Sequence, residues 1–454
     1  MRKSIIKIAV LAMLIVLCIG QMVTLWLGDM SGHNFLGKNA TLHNMILVQP
    51  KTMWVSTGKL AYKIEESKRE YNVLIEEFTN LIAANKKNIK LEKEASITYE
   101  DLLSRQGILY EYDLGINLQE LVGSGMDRIQ DDLAMQQVFI DMSVYNDHKT
   151  NLYFITDDLQ SIYKIIIYKR LQGHQKMVER FNDPDITREL IGYQPSITSN
   201  KRQYIKGNSF LPFITKENPI TYEILKVSNP IEAQEGKEKI ELLEGYVNSF
   251  FSNPLLKAVD EKENGSVIFS ENIGAIVKYE PEGTLEFNIT SASQETRLSR
   301  IERLIAVMEF IEDCRGIPEF LKEGIYLSEI VNHGEAYTYK FNYKYKGFSV
   351  HLTHQVKEEL GLDNILEITI KNNQVVRGKW SILDIDVYDG AALVTDKVSR
   401  GFDEIIDSMY ERYLKDKYNA GQLDALQCRY IMDMTEGKLK FNWLVCYEGR
   451  WYYP

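Results

Sequence analysis

Ser56-Thr57-Gly58-Lys59 is the stretch whose residue types come nearest to covalent chemistry. In an S-x-x-K pattern on a helix, the lysine one turn on takes the serine proton and leaves an oxygen nucleophile for acyl transfer. A membrane-anchored serine acyltransferase or hydrolase would use Ser56 and Lys59 in this way. That machinery also needs S-D-N and K-T-G companions, and the sequence contains neither. The competing reading is a strand-to-helix turn in which Thr57 caps and Gly58 relaxes the backbone.

Two further groupings invite a metal. Asp384, Asp386 and Asp389-Gly390 open like a calcium loop, but Tyr388 stands at position five, Asp389 at six and Thr395 at twelve. The loop needs acid, glycine and glutamate there. His351 and His354 lie close together in a run alternating as a strand does through Phe348, Val350 and Leu352. A spacing of three then sends the two rings to opposite faces. No metal site, cofactor site or catalytic residue is assigned from these patterns. Four cysteines without C-x-x-C spacing do not make a disulfide framework; Cys314, Cys428 and Cys446 read as free, buried thiols, although a three-residue turn in the closing hairpin would bring Cys428 opposite Cys446. The net charge of -11 argues against a nucleic-acid partner.

The elements that would position these residues begin at the N-terminus. Ile8–Leu27 carries no charge and is long enough, as a helix, to cross a hydrocarbon core of about 30 Å. Arg2, Lys3 and Lys7 precede it, whereas Lys38 is the only Lys or Arg in the first fifteen residues after it. That asymmetry sets the N-terminus in the cytoplasm and the rest outside, as a single-pass protein of the cell membrane. The exit through Trp26-Leu27-Gly28 offers no small-x-small cleavage site, which favours an anchor over a signal peptide. Gly20, Thr24 and Gly28 form a small-xxx-small stripe, with Gln21 adding polarity, suited to close helix–helix contact within lipid.

Beyond the anchor (1–28) the periodicity predicts an α+β, multi-domain region of repeated strand–helix–hairpin units, divided as 29–202, 203–294 and 295–454. The first unit has a strand at Thr52–Val55 and an amphipathic helix at Lys59–Ala84 with Leu60, Ile64, Tyr71, Leu74, Phe78 and Leu81 on one face. Strands follow near Ile108–Tyr112, Val138–Val144, Leu152–Ile155 and Tyr163–Tyr168. The second has a helix at Lys237–Ser252 stopped by Asn253-Pro254, then strands at Val267–Phe269, Ala275–Tyr279 and Thr284–Phe287. The third opens with a helix at Glu295–Cys314 that Gly316 ends. Strands then run to a helix at Phe402–Tyr413 and a closing hairpin, Leu426–Met432 with Leu439–Tyr447.

Three passages carry a family resemblance: the anchor leading directly into the following region; Tyr246–Pro254 continuing through Asn264-Gly265 to Ser270; and the end from Leu426 to Trp451, with Lys440-Phe441-Asn442-Trp443 and Gly449-Arg450-Trp451. On these the chain resembles the YycH regulatory family of Gram-positive bacteria. It departs from the family at Cys314-Arg315-Gly316-Ile317, where relatives carry a His-Gly-Gly-Trp-like end. The resemblance implies a non-catalytic accessory protein of an essential cell-wall sensor histidine kinase. Its implied partners are that kinase and the related single-pass protein YycI, met largely through transmembrane helices, with homo- or hetero-oligomers open. The alternative is an extracytoplasmic scaffold or assembly factor for the cell envelope.

Overall fold

Alternating residues from Thr52 to Thr57 form the first strand, β1 (Thr52–Thr57), which turns at once into β2 (Ala61–Lys63). The Thr57 N–H donates to the Leu60 carbonyl at 2.8 Å, and Gly58 takes φ +88°, which a side-chain-bearing residue resists. The helix expected from Lys59 therefore starts only at Lys68, as α1 (Lys68–Asn85). Leu60 and Ile64 misled because a spacing of four suits both the helical and the strand period. The computed structural model describes residues 48–454 except 65–67, 86–88, 123–132, 144–148, 157–158, 160, 189, 197–204, 206, 252, 272–273, 290–297, 388–394 and 415–422.

After α1 come β3 (Glu92–Lys93), α2 (Tyr99–Leu103), β4 (Gln106–Ile116), α3 (Leu118–Val122), β5 (Met135–Asp141), β6 (Thr150–Ile155) and β7 (Ile162–Ile167). Then follow α4 (Gln172–Phe181), α5 (Pro184–Thr187), β8 (Tyr193–Pro195) and β9 (Phe210–Pro212). The strands make one antiparallel sheet in the order β3-β7-β6-β5-β4-β1-β2-β8-β9. Period-two alternation separates its faces cleanly. Val55, Ile108, Tyr110, Val138, Ile140, Leu152 and Phe154 point to the side covered by α1, whose Leu74, Phe78 and Leu81 are buried. Trp54, Leu109, Phe139, Tyr153 and Ile155 point to the other, under Tyr99, Leu102 and Leu103 of α2.

The remaining chain runs β10 (Ile220–Glu223), β11 (Leu225–Ser228), α6 (Gly236–Val247), β12 (Ala258–Glu261), β13 (Val267–Ser270), β14 (Ala275–Glu280), β15 (Thr284–Ile289), α7 (Arg300–Asp313), α8 (Glu319–Gly324), β16 (Ile325–Asn332), β17 (Ala336–Tyr345) and β18 (Phe348–Leu352). It ends with α9 (His354–Leu360), β19 (Leu366–Lys371), β20 (Gln374–Ser381), β21 (Asp384–Val387), β22 (Thr395–Val398), α10 (Phe402–Met409), β23 (Ala425–Asp433), β24 (Lys438–Tyr447) and β25 (Arg450–Tyr452). A second, larger sheet has the order β12-β13-β14-β15-β20-β19-β17-β18-β23-β24-β11-β21, with β16 on β17 and β25 on β24. It draws strands from both 203–294 and 295–454, joined where Thr284–Asn288 pairs with Ser381–Arg377. The β18–β23 pair is parallel.

Against this sheet Phe250, Phe287, Phe310 and Trp380 form an aromatic core, with the Phe250 and Phe287 rings 4.6 Å apart. The Trp380 indole donates to the Gly316 carbonyl at 2.8 Å. Helix α7 is held at its start by a capping box between Ser299 and Glu302 and ends at Cys314. Gly316 has a different task from the helix stop expected of it: a Cβ there would sit 2.6 Å from the Tyr246 carbonyl. Among the described residues no helix is long and apolar enough to cross a membrane; the anchor Ile8–Leu27 lies outside them.

Candidate functional site

The membrane stripe Gly20, Gln21, Thr24 and Gly28 lies outside the described residues. The Ser56/Lys59 pair does not assemble. Ser56 is buried on β1 opposite Ala61, its hydroxyl 3.5 Å from the Leu103 carbonyl and accepting from the Gly58 N–H. Lys59 is exposed at the hairpin turn, with no helix to bring it round. Asp384 and Asp386 sit on β21 opposite Ser228 and Lys226, and Asp389-Gly390 lies outside the described residues. Among the described residues no group of three or more His, Cys, Asp or Glu side chains is placed to hold a metal.

His351 is on β18 opposite Ile431, as alternation requires, but His354 is not on that strand. Thr353 ends the strand and caps α9, its hydroxyl accepting from the Val356 N–H, so His354 sits exposed in the first turn. The three described cysteines are free and buried. Cys428 stands opposite Trp443 and Cys446 opposite Ala425, out of register with each other. Burial pushes the Cys314 thiol up to about 12 and the Cys428 thiol up as well, which keeps both from acting as nucleophiles.

The polar groups that do come together line the seam between the two sheets. From the first sheet come Trp54, Lys63, Glu111, Tyr193, Ser209 and Phe210, and from the second Ser349 and Leu426–Arg429. Glu111 accepts from the Trp54 indole at 2.6 Å and from the Ser209 hydroxyl, and Ser209 in turn accepts from Tyr99 at 2.8 Å and Gln137 at 3.2 Å. The Lys63 ammonium sits 4.2 Å from the Phe348 ring centre of the second sheet and 5.2 Å from that of Trp54 of the first. Its attraction to both ring faces ties the sheets together. Asn208 clasps the main chain of Leu426, donating to its carbonyl at 2.6 Å and accepting from its N–H at 2.9 Å. Lys344 of β17 donates to the Pro50 carbonyl at 2.8 Å, and burial pushes its ammonium down to about 7. The cavity left among these groups is about 40 Å³. That holds about three or four waters, at about 10–15 Å³ each, and is far below the ~300 Å³ of a ligand pocket. The seam is built to hold two sheets in register.

A larger recess of about 370 Å³ lies between Phe213–Glu217 and Gly401–Glu404. None of its described lining side chains is a buried polar group.

One constellation escaped the sequence. His174 on α4, fully buried, holds Glu77 of α1 at 2.8 Å through Nδ1 and the Tyr110 hydroxyl of β4 at 2.6 Å through Nε2. Glu77 also accepts from the Gly173 and His174 N–H groups. Burial lowers the His174 pKa against the opposing pull of Glu77, leaving a neutral ring. Burial raises the Glu77 pKa, but its hydrogen bonds from His174 and Gly173 outweigh this and hold it below the usual carboxylate range. The Nδ1–H thus donates to the Glu77 carboxylate, and Nε2 accepts from the Tyr110 hydroxyl. With the ring enclosed, this is a latch between helices and sheet with no room for a substrate. Its one visible signal is an acid on the apolar face of α1, between Leu74 and Leu81.

No protein-family model and no curated protein matches the chain. A solved structure does: the crystal structure of YycH from Bacillus subtilis, with a TM-score of 0.54 over 90% of this chain and 96% of that one, at 10% identity. The fold is YycH-like. At this identity the likeness concerns the path of the chain. It covers nearly the whole of both proteins, so the correspondence takes in both sheets.

Proposed function

We propose that this chain is a non-catalytic accessory regulator of a cell-wall sensor histidine kinase, held at the membrane by Ile8–Leu27 with its bulk outside the cytoplasm. The observation that carries the reading is the extent of the fold likeness to YycH, which spans both sheets and not a single common module. The sequence passages Tyr246–Ser270 and Leu426–Trp451 agree with it. In this reading the partners are the kinase and a YycI-like single-pass protein. The stripe Gly20, Gln21, Thr24 and Gly28 is the contact surface within lipid. Binding or strain in the extracytoplasmic region would bias the packing of the membrane helices. The kinase would then shift between signalling states by the difference in affinity for the two.

The test replaces Gly20 and Gly28 by Leu in the full chain and follows recovery of the membrane histidine kinase together with transcription of its target genes. Loss of both, with the rest of the chain folded and displayed, is the expected outcome. Unchanged recovery and transcription would reduce the stripe to ordinary membrane packing and favour an envelope scaffold instead.

A further inference from the structure

The second sheet ends at β12, whose outer edge no described strand pairs. All four of its residues are exposed, and Leu255 and Leu256 just before it are 93% and 77% exposed. Open edges are usually shielded, because their unpaired N–H and C=O groups template pairing with another chain. Two adjacent leucines in water beside such an edge call for cover.

Which groups the edge offers follows from its inner pairing. Lys262 donates to the Ser266 carbonyl at 2.8 Å, so 262/266 is a hydrogen-bonded pair of the antiparallel β12–β13 ladder. Alternation makes Asp260/Ile268 and Ala258/Ser270 the next bonded pairs. Val259 and Glu261 therefore turn their N–H and C=O outward, and Lys257, also extended, continues the outward set. A second copy of the same edge can pair antiparallel only by setting outward residues against outward residues. Three symmetric registers keep at least three of residues 257–261 paired. Centred on Asp260, two aspartates face each other; centred on Ala258, Asp260 and Glu261 run past the partner's 3-10 turn at Pro254–Leu256, which has no extended backbone to pair. Centred on Val259, valine meets valine and Lys257 stands opposite the partner's Glu261, twice.

We propose that β12 is a self-pairing edge that joins two copies of this chain about a twofold axis through Val259. Within each chain Lys257 already holds Glu244 at 2.7 Å and Glu261 faces Lys239 at 3.5 Å, so the partner's Glu261 adds a second acid to a lysine fixed in place. Leu255 and Leu256 belong to the 3-10 turn Pro254–Leu256, which in this register comes to lie just beyond the partner's Glu261. Because the axis stands perpendicular to the joined sheet, α6 of each copy falls on the same face. The proposal stands apart from the regulatory reading above and would hold for a scaffold as well.

Cross-linking reads the register directly. Residues facing each other in a bonded antiparallel pair lie about 5.5 Å apart at Cα, within disulfide reach. Full-length Val259→Cys in native membranes should give a disulfide-linked dimer on mild oxidation, about tenfold faster than Ala258→Cys, whose symmetry mate lies two residues out of register. Adding Glu261→Lys to Val259→Cys should slow the cross-link by a similar factor, since lysine then faces lysine. Equal rates at 258 and 259, or a cross-link indifferent to the charge at 261, would overturn the proposal. A monomer captured only by a different protein's strand would overturn it too, making β12 a site for another chain.

Discussion

His174 on α4 has both ring nitrogens engaged in a space closed to water, and that makes it an exacting side chain where the helices pack on the first sheet. Replacing it by Phe keeps a flat ring, somewhat larger, but takes the Nδ1–H donor from Glu77 and the acceptor from Tyr110. The expected loss is about 3 kcal/mol, because buried polar groups then lose their partners. Pairing His174→Phe with Tyr110→Phe should cost less than the sum of the two, since removing both ends of a hydrogen bond strands neither. The pH dependence has a definite sign. His174 titrates below its ordinary 6.5 when folded, so the unfolded chain binds the extra proton; stability is complete above about pH 6.5 and falls as the medium is acidified. Glu77, held below its ordinary 4.5, adds a second loss in the same direction at lower pH. His351, lowered to about 3 by burial and by Arg429 and Lys357, contributes to both proteins alike. Urea midpoints at about pH 7.5 and 5.5 should therefore differ more for the parent than for His174→Phe. Equal differences would show that the ring is not the titrating group.

At the scale of elements, the seam depends on a few contacts that reach from one sheet to the other. Asn208 is the plainest, because both ends of its amide are used on one residue of β23. Asn208→Ala should lower stability by about 2 kcal/mol and speed hydrogen exchange at the Leu426 amide, leaving amides in the centre of the first sheet unchanged. Exchange at Leu426 as slow as in the parent would mean that other contacts carry the seam. This seam was invisible in the sequence for a physical reason: Asn208 and Leu426 are 218 positions apart and Asn208 belongs to no periodic pattern. What was legible is what periodicity dictates. Strands β1 and β4 to β7 of the first sheet, the helices over Gly236–Val247 and Arg300–Asp313 and the closing hairpin fall where alternation and helical spacing put them. Failures came where a short signal fitted two periods, at Leu60 and Ile64, or where a cap intervened, at Thr353. Helix α4 was missed because its apolar face is brief and rests on Met177, Val178 and Phe181, with the buried His174 among them.

Over the whole molecule, the boundaries 203–294 and 295–454 meet a sheet that runs through both. The strands β12 to β15 end against β20, and β11 has both its partners, β21 and β24, beyond residue 295. The aromatic core is shared in the same way, with Phe250 and Phe287 from one segment packed on Phe310 and Trp380 from the other. A fragment of residues 203–294 would thus leave β15 with an unpaired edge, β11 without either partner and half an aromatic cluster in water. Such a fragment is expected to lack cooperative unfolding and dispersed amide signals, whereas a fragment of residues 203–454 retains both edges' partners and should unfold cooperatively. The comparison is decisive because the two fragments differ only in the segment that completes the sheet. If 203–294 folded alone, β15 would need a stable free edge, and the pairing with β20 would be a contact between finished domains.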